Sequence, residues 1–135
     1  MSDWNTKIID QFRAQGGKGV GQFGDGLLLL HHTGARTGTV RISPLGYYDD
    51  GDRLVIIASR GGSPQNPDWF YNLKANPEAT IEVGADTVPV RATEITGDDY
   101  EKTWARVTAV LPGYADYQTK TTRRIPLVAL RRENP

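Results

Sequence analysis

Apolar positions change their spacing several times along the chain, and each change marks an element. Trp4, Ile8 and Phe12 stand four apart, which puts them on one face of a helix. Ser2 or Asp3 can cap that helix, and Gly16-Gly17 stops it. GGKGVGQFGDG follows, too rich in glycine for a helix or a central strand. LLLLHHT is a strand and GART a turn; TVRISPLGYY is a second strand, in which Pro44 points to an edge position or a bulge. DDGD turns the chain into RLVIIAS. Asn66 is placed to cap a short helix, DWFYNLKAN, with Pro67 as its first residue, and Asn76-Pro77 ends it. ATIEV and TVPVRATEI pair as a hairpin across GAD. Thr96 and Asp99 have the spacing of a capping box. Tyr100, Trp104, Val107 and Leu111 then mark a helix face that Pro112-Gly113 breaks. YADYQTKTTRR is a short helix or an ordered loop, and IPLVALR is a last strand.

About six strands, joined mostly by hairpin-length turns, with three or four helices define an α+β domain. Most strand pairs should be antiparallel, and so many short strands in a short chain tend to curl into a barrel. At 135 residues, residues 1–135 make one domain, with no repeat or linker. Without cysteine there are no disulfides, thiolate metal sites or Cys nucleophiles. A formal net charge of zero argues against nucleic acid as a partner. The longest apolar run, Leu27 to Leu30, is far too short for a bilayer, and no basic-then-apolar leader opens the chain. The expectation is a soluble, cytoplasmic protein.

Three stretches carry candidate chemistry. In ASRGGSPQNPDW, consecutive glycines after a strand can turn backbone N–H groups toward an anion, and the following helix start adds partial positive charge. Arg60 adds a forked donor and Ser59 a hydroxyl; the competing reading is an ordinary surface crossover. In TGARTGTVR, Arg36 sits in a turn, and strand alternation puts Arg41 and Ser43 on one side. With Arg60, three arginines emerge at strand ends, a set suited to a polyanion, although each could be solvated. In LPGYADYQTKTTRR, Tyr114 and Tyr117 lie three apart and can offer flat walls and hydroxyls to a ring system, or can pack a rim. His31-His32 point to opposite faces of a strand, so they cannot share a metal, and no metal site is expected. Walker A, G-x-S-x-G and H-E-x-x-H patterns are absent.

These stretches together resemble the deazaflavin-dependent nitroreductase family of actinobacteria, also called the nitroreductase/quinone reductase family. The matching segments are LLLLHHTGARTGTVRISPL, VIIASRGGSPQNPDWFYNLKANPEATIEVG and LPGYADYQTKTTRRIPLVAL, which cover most of the chain from Leu27 to Leu130 in order. The resemblance implies a split β-barrel that binds coenzyme F420, an 8-hydroxy-5-deazaflavin with a phosphodiester and a glutamate tail. By that resemblance Ala35, Arg36, Thr37 and Arg41 line the tail and phosphate side, with Ile42, Ser43, Pro44, Leu45 and Gly46 alongside. Ile57, Ala58, Ser59 and Arg60 form the next wall, and Asp68, Trp69, Phe70, Tyr71 and Asn72 the helix-start wall. Tyr114 contacts the deazaflavin or the substrate over it, with Tyr117 and Leu111 on the substrate side. Ser59 and Tyr114 are the candidates for orienting the acceptor.

The implied activity is hydride transfer from reduced F420 to a quinone or similar electron-poor acceptor. Alternatives are a non-catalytic F420 carrier and a split-barrel oxidoreductase using FMN. The chain departs from the family pattern in three places. Leu111 stands where members that activate nitroimidazoles carry tyrosine, Arg60 replaces the commoner lysine, and His31-His32 replace small hydroxyl residues. Peripheral membrane contact through the first helix and assembly as a homodimer are left open by the resemblance.

Overall fold

The computed structural model describes residues 3–20 and 26–133. The first helix is α1 (Asp3–Ala14), and the strands are β1 (Leu27–Thr33), β2 (Val40–Asp49), β3 (Leu54–Ile57), β4 (Glu78–Val83), β5 (Asp86–Ile95) and β6 (Leu127–Arg132). Between β3 and β4 comes α2 (Asp68–Ala75); between β5 and β6 come α3 (Gly97–Val110) and α4 (Gly113–Thr119). The six strands close into a barrel in the order β1-β2-β3-β6-β5-β4, with every neighbouring pair antiparallel. The α+β barrel expected from the pattern is therefore the fold. Part of the glycine-rich approach, residues 21–25, and the side chain of Trp4 lie outside the described residues.

The unbroken Leu27–Leu30 run follows from burial on both faces of β1. Leu28 and Leu30 point into the barrel with Ile56, Ile81, Val90, Val128 and Leu130. Leu27 and Leu29 face outward beneath Ile9 and Phe12 of α1. Each such side chain contributes about 1.5–3 kcal/mol when fully buried. On the opposite flank, α3 and α4 cover the outer faces of β3 and β6 through Tyr100, Val107, Trp104, Tyr114 and Tyr117. α2 plugs one barrel end, sending Trp69, Phe70 and Leu73 into the interior cluster. Arg13 of α1 donates two bonds to Glu82 of β4, at 3.0 and 2.8 Å. The turn after α1 presses on the β4–β5 turn so closely that a Cβ on Gly17 would stand 2.9 Å from the Gly84 Cα.

β2 is ten residues long and β3 only four. β3 pairs with Tyr47, Tyr48 and Asp49, so Val40 to Gly46 have a strand neighbour on the β1 side alone. At about 3.4 Å per residue this open edge runs roughly 20 Å. Pro44 sits in it, as an edge position requires.

Three local expectations need correction. RLVIIAS yields a strand only to Ile57; Ala58 and Ser59 leave the sheet where β2 stops pairing. Pro67, not Asn66, is the N-cap of α2, with extended ψ of 154°, because the Asn66 carboxamide oxygen is taken by Arg123 at 2.7 Å. Thr96 caps α3 without a side-chain bond, and the Asp99 carboxylate, the reciprocal half of a capping box, is held instead by Arg53 and Thr103.

Candidate functional site

The split between β2 and β3 is where the sequence-derived candidates gather. Its first part is a cleft of about 430 Å³ between the β1–β2 turn and α2, lined by Gly34, Ala35, Arg36, Thr37, Arg41, Asp68, Tyr71 and Asn72. Asp68, Tyr71 and Asn72 reach it together because residues three and four apart share a helix face. Trp69 and Phe70, on the other face, fill the core instead. Neither Arg36 nor Arg41 makes a side-chain hydrogen bond or ion pair among the described residues, and both are exposed. The cleft thus offers two guanidinium groups with no carboxylate bonded to them, an arrangement suited to an anionic ligand.

The cleft is held in shape by a short polar chain. The Ala35 N–H donates to Asn72 Oδ1 at 2.9 Å, Asn72 Nδ2 lies 3.0 Å from His32 Nδ1, and His32 Nε2 lies 2.9 Å from Ser43 Oγ. His32 is buried, and burial, followed by the charge of Arg41, pushes its pKa below the usual histidine value. Its neighbour His31 faces the opposite way and lies 2.6 Å from Glu82. The two histidines therefore serve separate contacts, and no group of three metal-ligating side chains occurs among the described residues.

The second part of the split belongs to α4. Tyr114 and Tyr117 stand edge to face, 6.0 Å apart. A Cβ on Gly46 would be 3.0 Å from the Tyr114 hydroxyl, so this ring leans on the open edge of β2 only because residue 46 is glycine. Burial pushes the Tyr114 phenol above its usual pKa, which keeps it a proton donor at neutral pH. Its hydroxyl makes no hydrogen bond among the described residues, and the same holds for Ser59 Oγ. Leu111 caps α3 half-buried, one turn before Tyr114, whose N–H it accepts at 3.2 Å.

A model of the F420H(2)-dependent quinone reductase family matches residues 4–132. The chain belongs to that family. It is 44% identical over 108 residues to the F420H(2)-dependent quinone reductase Rv1261c of Mycobacterium tuberculosis, covering 78% of this chain and 72% of that protein. Among solved structures it is similar to an F420-H2 dependent reductase, FDR-A, with TM-score 0.72, 36% identity, and 78% and 94% of the two chains covered. A second, described as a domain-swapped dimer, aligns with TM-score 0.74 at 33% identity over 96% and 98% of the chains.

Within this F420H(2)-dependent quinone reductase fold, the turn Arg60–Gly62 is organised differently from an open anion nest. Gly62 and Ser63 donate their N–H groups to the carbonyls of Ser59 and Arg60, at 3.0 and 3.1 Å, closing the turn on itself. Arg60 takes positive φ of 45° and bonds Gln65 at 3.3 Å, so its guanidinium stands apart from those of Arg36 and Arg41. Gly62, with φ of 84°, lies so near α4 that a Cβ there would be 2.9 Å from the Tyr117 carbonyl. Ile57 and Ala58 are buried behind Ser59. On β2, Ile42 faces α1 and Leu45 faces the interior, which leaves backbone rather than apolar side chains at the open edge.

Arg123 is the residue that sequence reasoning missed. Its guanidinium donates to the carbonyls of Ser63, Ala58 and Ser59 at 2.9, 3.1 and 2.8 Å, and to Asn66 Oδ1 at 2.7 Å. Four of five guanidinium donors are spent on one loop, which fixes the Ser59 turn and the entry to α2. Burial among carbonyls, without a carboxylate, lowers its pKa. The signal was the TTRR run ahead of β6, but nothing local separates it from Arg124, which stacks on Tyr100 3.6 Å from the ring centre.

Proposed function

We propose that this protein transfers a hydride from reduced coenzyme F420 to a quinone. The observation that carries the reading is the pair of unbonded guanidinium groups, Arg36 and Arg41, in a cleft continuous with the open edge of β2. That donor set fits a cofactor with a phosphodiester and carboxylate tail. FMN lacks the glutamates that would use a second arginine, so the FMN alternative is not retained.

When bound, reduced F420 supplies the hydride from its C5, and the quinone gains that hydride and one proton to become a quinol. The chain's own part is binding and orientation. Arg36, Arg41 and the Ala35–Thr37 turn hold the tail, and the β2 edge from Ile42 to Gly46 offers backbone groups alongside the body of the cofactor. Tyr114 and Tyr117 wall the ring side, with Leu111 at its margin. Ser59 Oγ and the Tyr114 hydroxyl, both without a protein partner among the described residues, orient the acceptor oxygen and stabilise the charge that develops on it. α4 also shuts the ring side from water through its contacts at Gly46 and Gly62.

Parallel fluorescence titrations with F420, FMN, FAD and NADPH test the cofactor. F420 should bind well and the others weakly; FMN binding as tightly as F420 would end the assignment. Oxidation of reduced F420 with and without menadione separates an enzyme from a carrier, since a carrier gives no menadione-dependent turnover. A homodimer is part of the reading, supported by the dimeric relative, and light scattering across a concentration series tests it. For the membrane, no described helix is long and apolar enough to cross one. The Ile9–Phe12 side of α1 is already spent on the barrel. A cytoplasmic location with the acceptor delivered from solution fits both facts; sedimentation with quinone-loaded vesicles tests it.

A further inference from the structure

We propose that His32 is a positioning residue of the cleft: it turns the Ser43 hydroxyl into a fixed proton donor for an anionic oxygen of the cofactor tail. The inference rests on the F420 reading above and deepens it at side chains, those of His32 and Ser43, to which that reading gives no role. The argument begins with a group whose direction cannot change. The Ala35 backbone N–H can only donate, so the Asn72 atom it meets at 2.9 Å is the carboxamide oxygen. The other end of that carboxamide, Nδ2, must then donate to His32 Nδ1 across 3.0 Å. With Nδ1 accepting, a neutral His32 carries its proton on Nε2 and donates it to Ser43 Oγ across 2.9 Å. Ser43 Oγ therefore accepts inside the fold, and its own proton is left to point elsewhere.

The surroundings agree with that polarity. Ser43 is two residues from Arg41 on the same face of β2, and Arg41 lines the cleft. Ser43 is half-buried while His32 and Asn72 are buried, and Asn72 and Arg41 both line the cleft, so the relay runs inward from the cleft wall beside Arg41. A phosphodiester or carboxylate oxygen only accepts hydrogen bonds, so a hydroxyl facing it is useful only when its proton points outward. A free serine can rotate to satisfy a ligand, but at an entropic cost; a serine already committed as acceptor has less freedom to lose. The charged groups around His32 are Arg41 on β2 and His31 on β1, which oppose its protonation, and Asp68 on α2, which favours it. Protonated His32 would set a donor against the Asn72 amide, so the relay works only with a neutral ring.

The tautomer is read first, on the cofactor-free protein, from the imidazole nitrogen chemical shifts of uniformly nitrogen-15-labelled material. The Nε2–H form is expected, and an Nδ1–H form overturns the inference whatever happens to the variants. Binding is then read by titration with three probes: F420, its derivative that keeps the phosphodiester but lacks the glutamates, and the tail-less deazaflavin with its ribityl chain only. Ser43→Ala removes the donor. His32→Asn keeps an acceptor for Asn72 but no donor for Ser43. Each should weaken F420 about tenfold, as loss of one charge-assisted bond does. Binding of the tail-less probe should be unchanged.

Parallel loss on the glutamate-free derivative assigns Ser43 to the phosphodiester; loss on F420 alone assigns it to a tail carboxylate. The double variant should be no weaker than Ser43→Ala, because both changes remove one interaction. Ser43→Thr, which keeps the hydroxyl, should restore most of the affinity. Additive losses, or equal losses on the tail-less probe, would show a general structural role and sink the inference. If the wild-type protein binds none of the three probes, the F420 reading itself falls and takes the inference with it. If it binds them all and the variants match it, only the role of His32 falls.

Discussion

β2 carries arginine chemistry at both ends, and the ends differ in what their guanidinium groups touch. Beyond its C-terminal end, Arg53 is buried and donates to Asp50 at 2.8 Å, to both oxygens of Asp99 at 2.9 and 3.0 Å, and to Thr103 at 3.0 Å. Arg106 adds a second pair with Asp50, at 3.1 Å. Hydrogen bonds from Arg53 hold the Asp99 carboxyl down at about 2. Burial pushes Asp50 up, but the bonds from Arg53 and Arg106 outweigh it and its pKa also falls. At the other end Arg36 and Arg41 are exposed and bonded to no protein group among the described residues. One set ties α3 to the β2–β3 turn; the other leaves its donors for a ligand. A guanidinium consumed by carboxylates stabilises the fold and adds little field, whereas an unconsumed one does the reverse.

The sharpest way to break this contrast is Arg53→Ala. It strips Asp50 and Asp99 of their shared partner and leaves the buried Thr103 hydroxyl with Arg106 as its remaining donor, at 3.3 Å. Removing one side of a buried ion pair costs about 3–5 kcal/mol, and the exposure of Asp99 puts the expected loss near the bottom of that range, about 3 kcal/mol. Urea unfolding measures it. F420 affinity of the folded variant should match wild type; a loss of affinity without a loss of stability would reverse the roles of the two ends.

Arg36→Ala and Arg41→Ala should behave oppositely. Each should weaken F420 binding by about 2 kcal/mol, the worth of a hydrogen bond to a charged group. Unfolding midpoints should stay within about 0.5 kcal/mol of wild type, as for other surface substitutions. Affinity should also decline as salt is added, because exposed charges are screened. Arg60→Ala sharpens the point: its guanidinium bonds Gln65 away from the cleft, so its effect on F420 should be the smallest of the three.

The parts legible in the sequence were those where one local rule decided the outcome. The Leu27–Leu30 run, the GAD hairpin and the Tyr100–Val107 stripe each became the expected element because periodicity and burial agreed. Asn66 failed as a side-chain cap, and Asp99 as the acidic half of a capping box, for a tertiary reason. Arg123 claims the Asn66 oxygen and Arg53 claims Asp99, and neither arginine is near in sequence. The cleft arginines were visible as residues, but Arg60 could not be separated from Arg36 and Arg41, because its direction depends on the closed turn at Gly61-Gly62. Strand parity put His31 and His32 on opposite faces, and the structure sends His32 to the side of Leu28 and Leu30. What parity could not supply was Asn72, which reaches it from a helix forty residues on.

Tyr114 tests the ring side of the site with a smaller effect. Tyr114→Phe removes a hydroxyl that has no hydrogen-bond partner among the described residues, so stability should hardly change. If that hydroxyl orients the acceptor, kcat/KM for menadione should drop roughly tenfold with F420 affinity nearly intact. Tyr114→Ala should harm cofactor binding too, since the wall over Gly46 goes with it. Wild-type turnover in the Phe variant would leave Ser59 as the remaining donor.

The smallest effect separates the two ends by pH. At the cleft end the titrating group is His32, whose folded pKa is lowered by burial, with Arg41 and His31 adding and Asp68 opposing. Its unfolded value is about 6.5. Below that value the unfolded chain binds the proton first, so stability falls as pH falls, until the folded pKa is passed. At the other end Asp50 and Asp99 are both held low, and Asp99 has an unfolded value of about 3.9 and a folded value of about 2. Its contribution is complete above the first value and is lost as pH drops through the second. Urea midpoints measured from about pH 7 to about pH 2 should therefore decline in two windows. His32→Asn should flatten the upper window, and Asp99→Asn should shrink the lower one while the contribution of Asp50 remains, each leaving the other window in place. An upper decline that survives unchanged in His32→Asn would show that another group produces it, and the neutral folded ring assumed for His32 would lose that support.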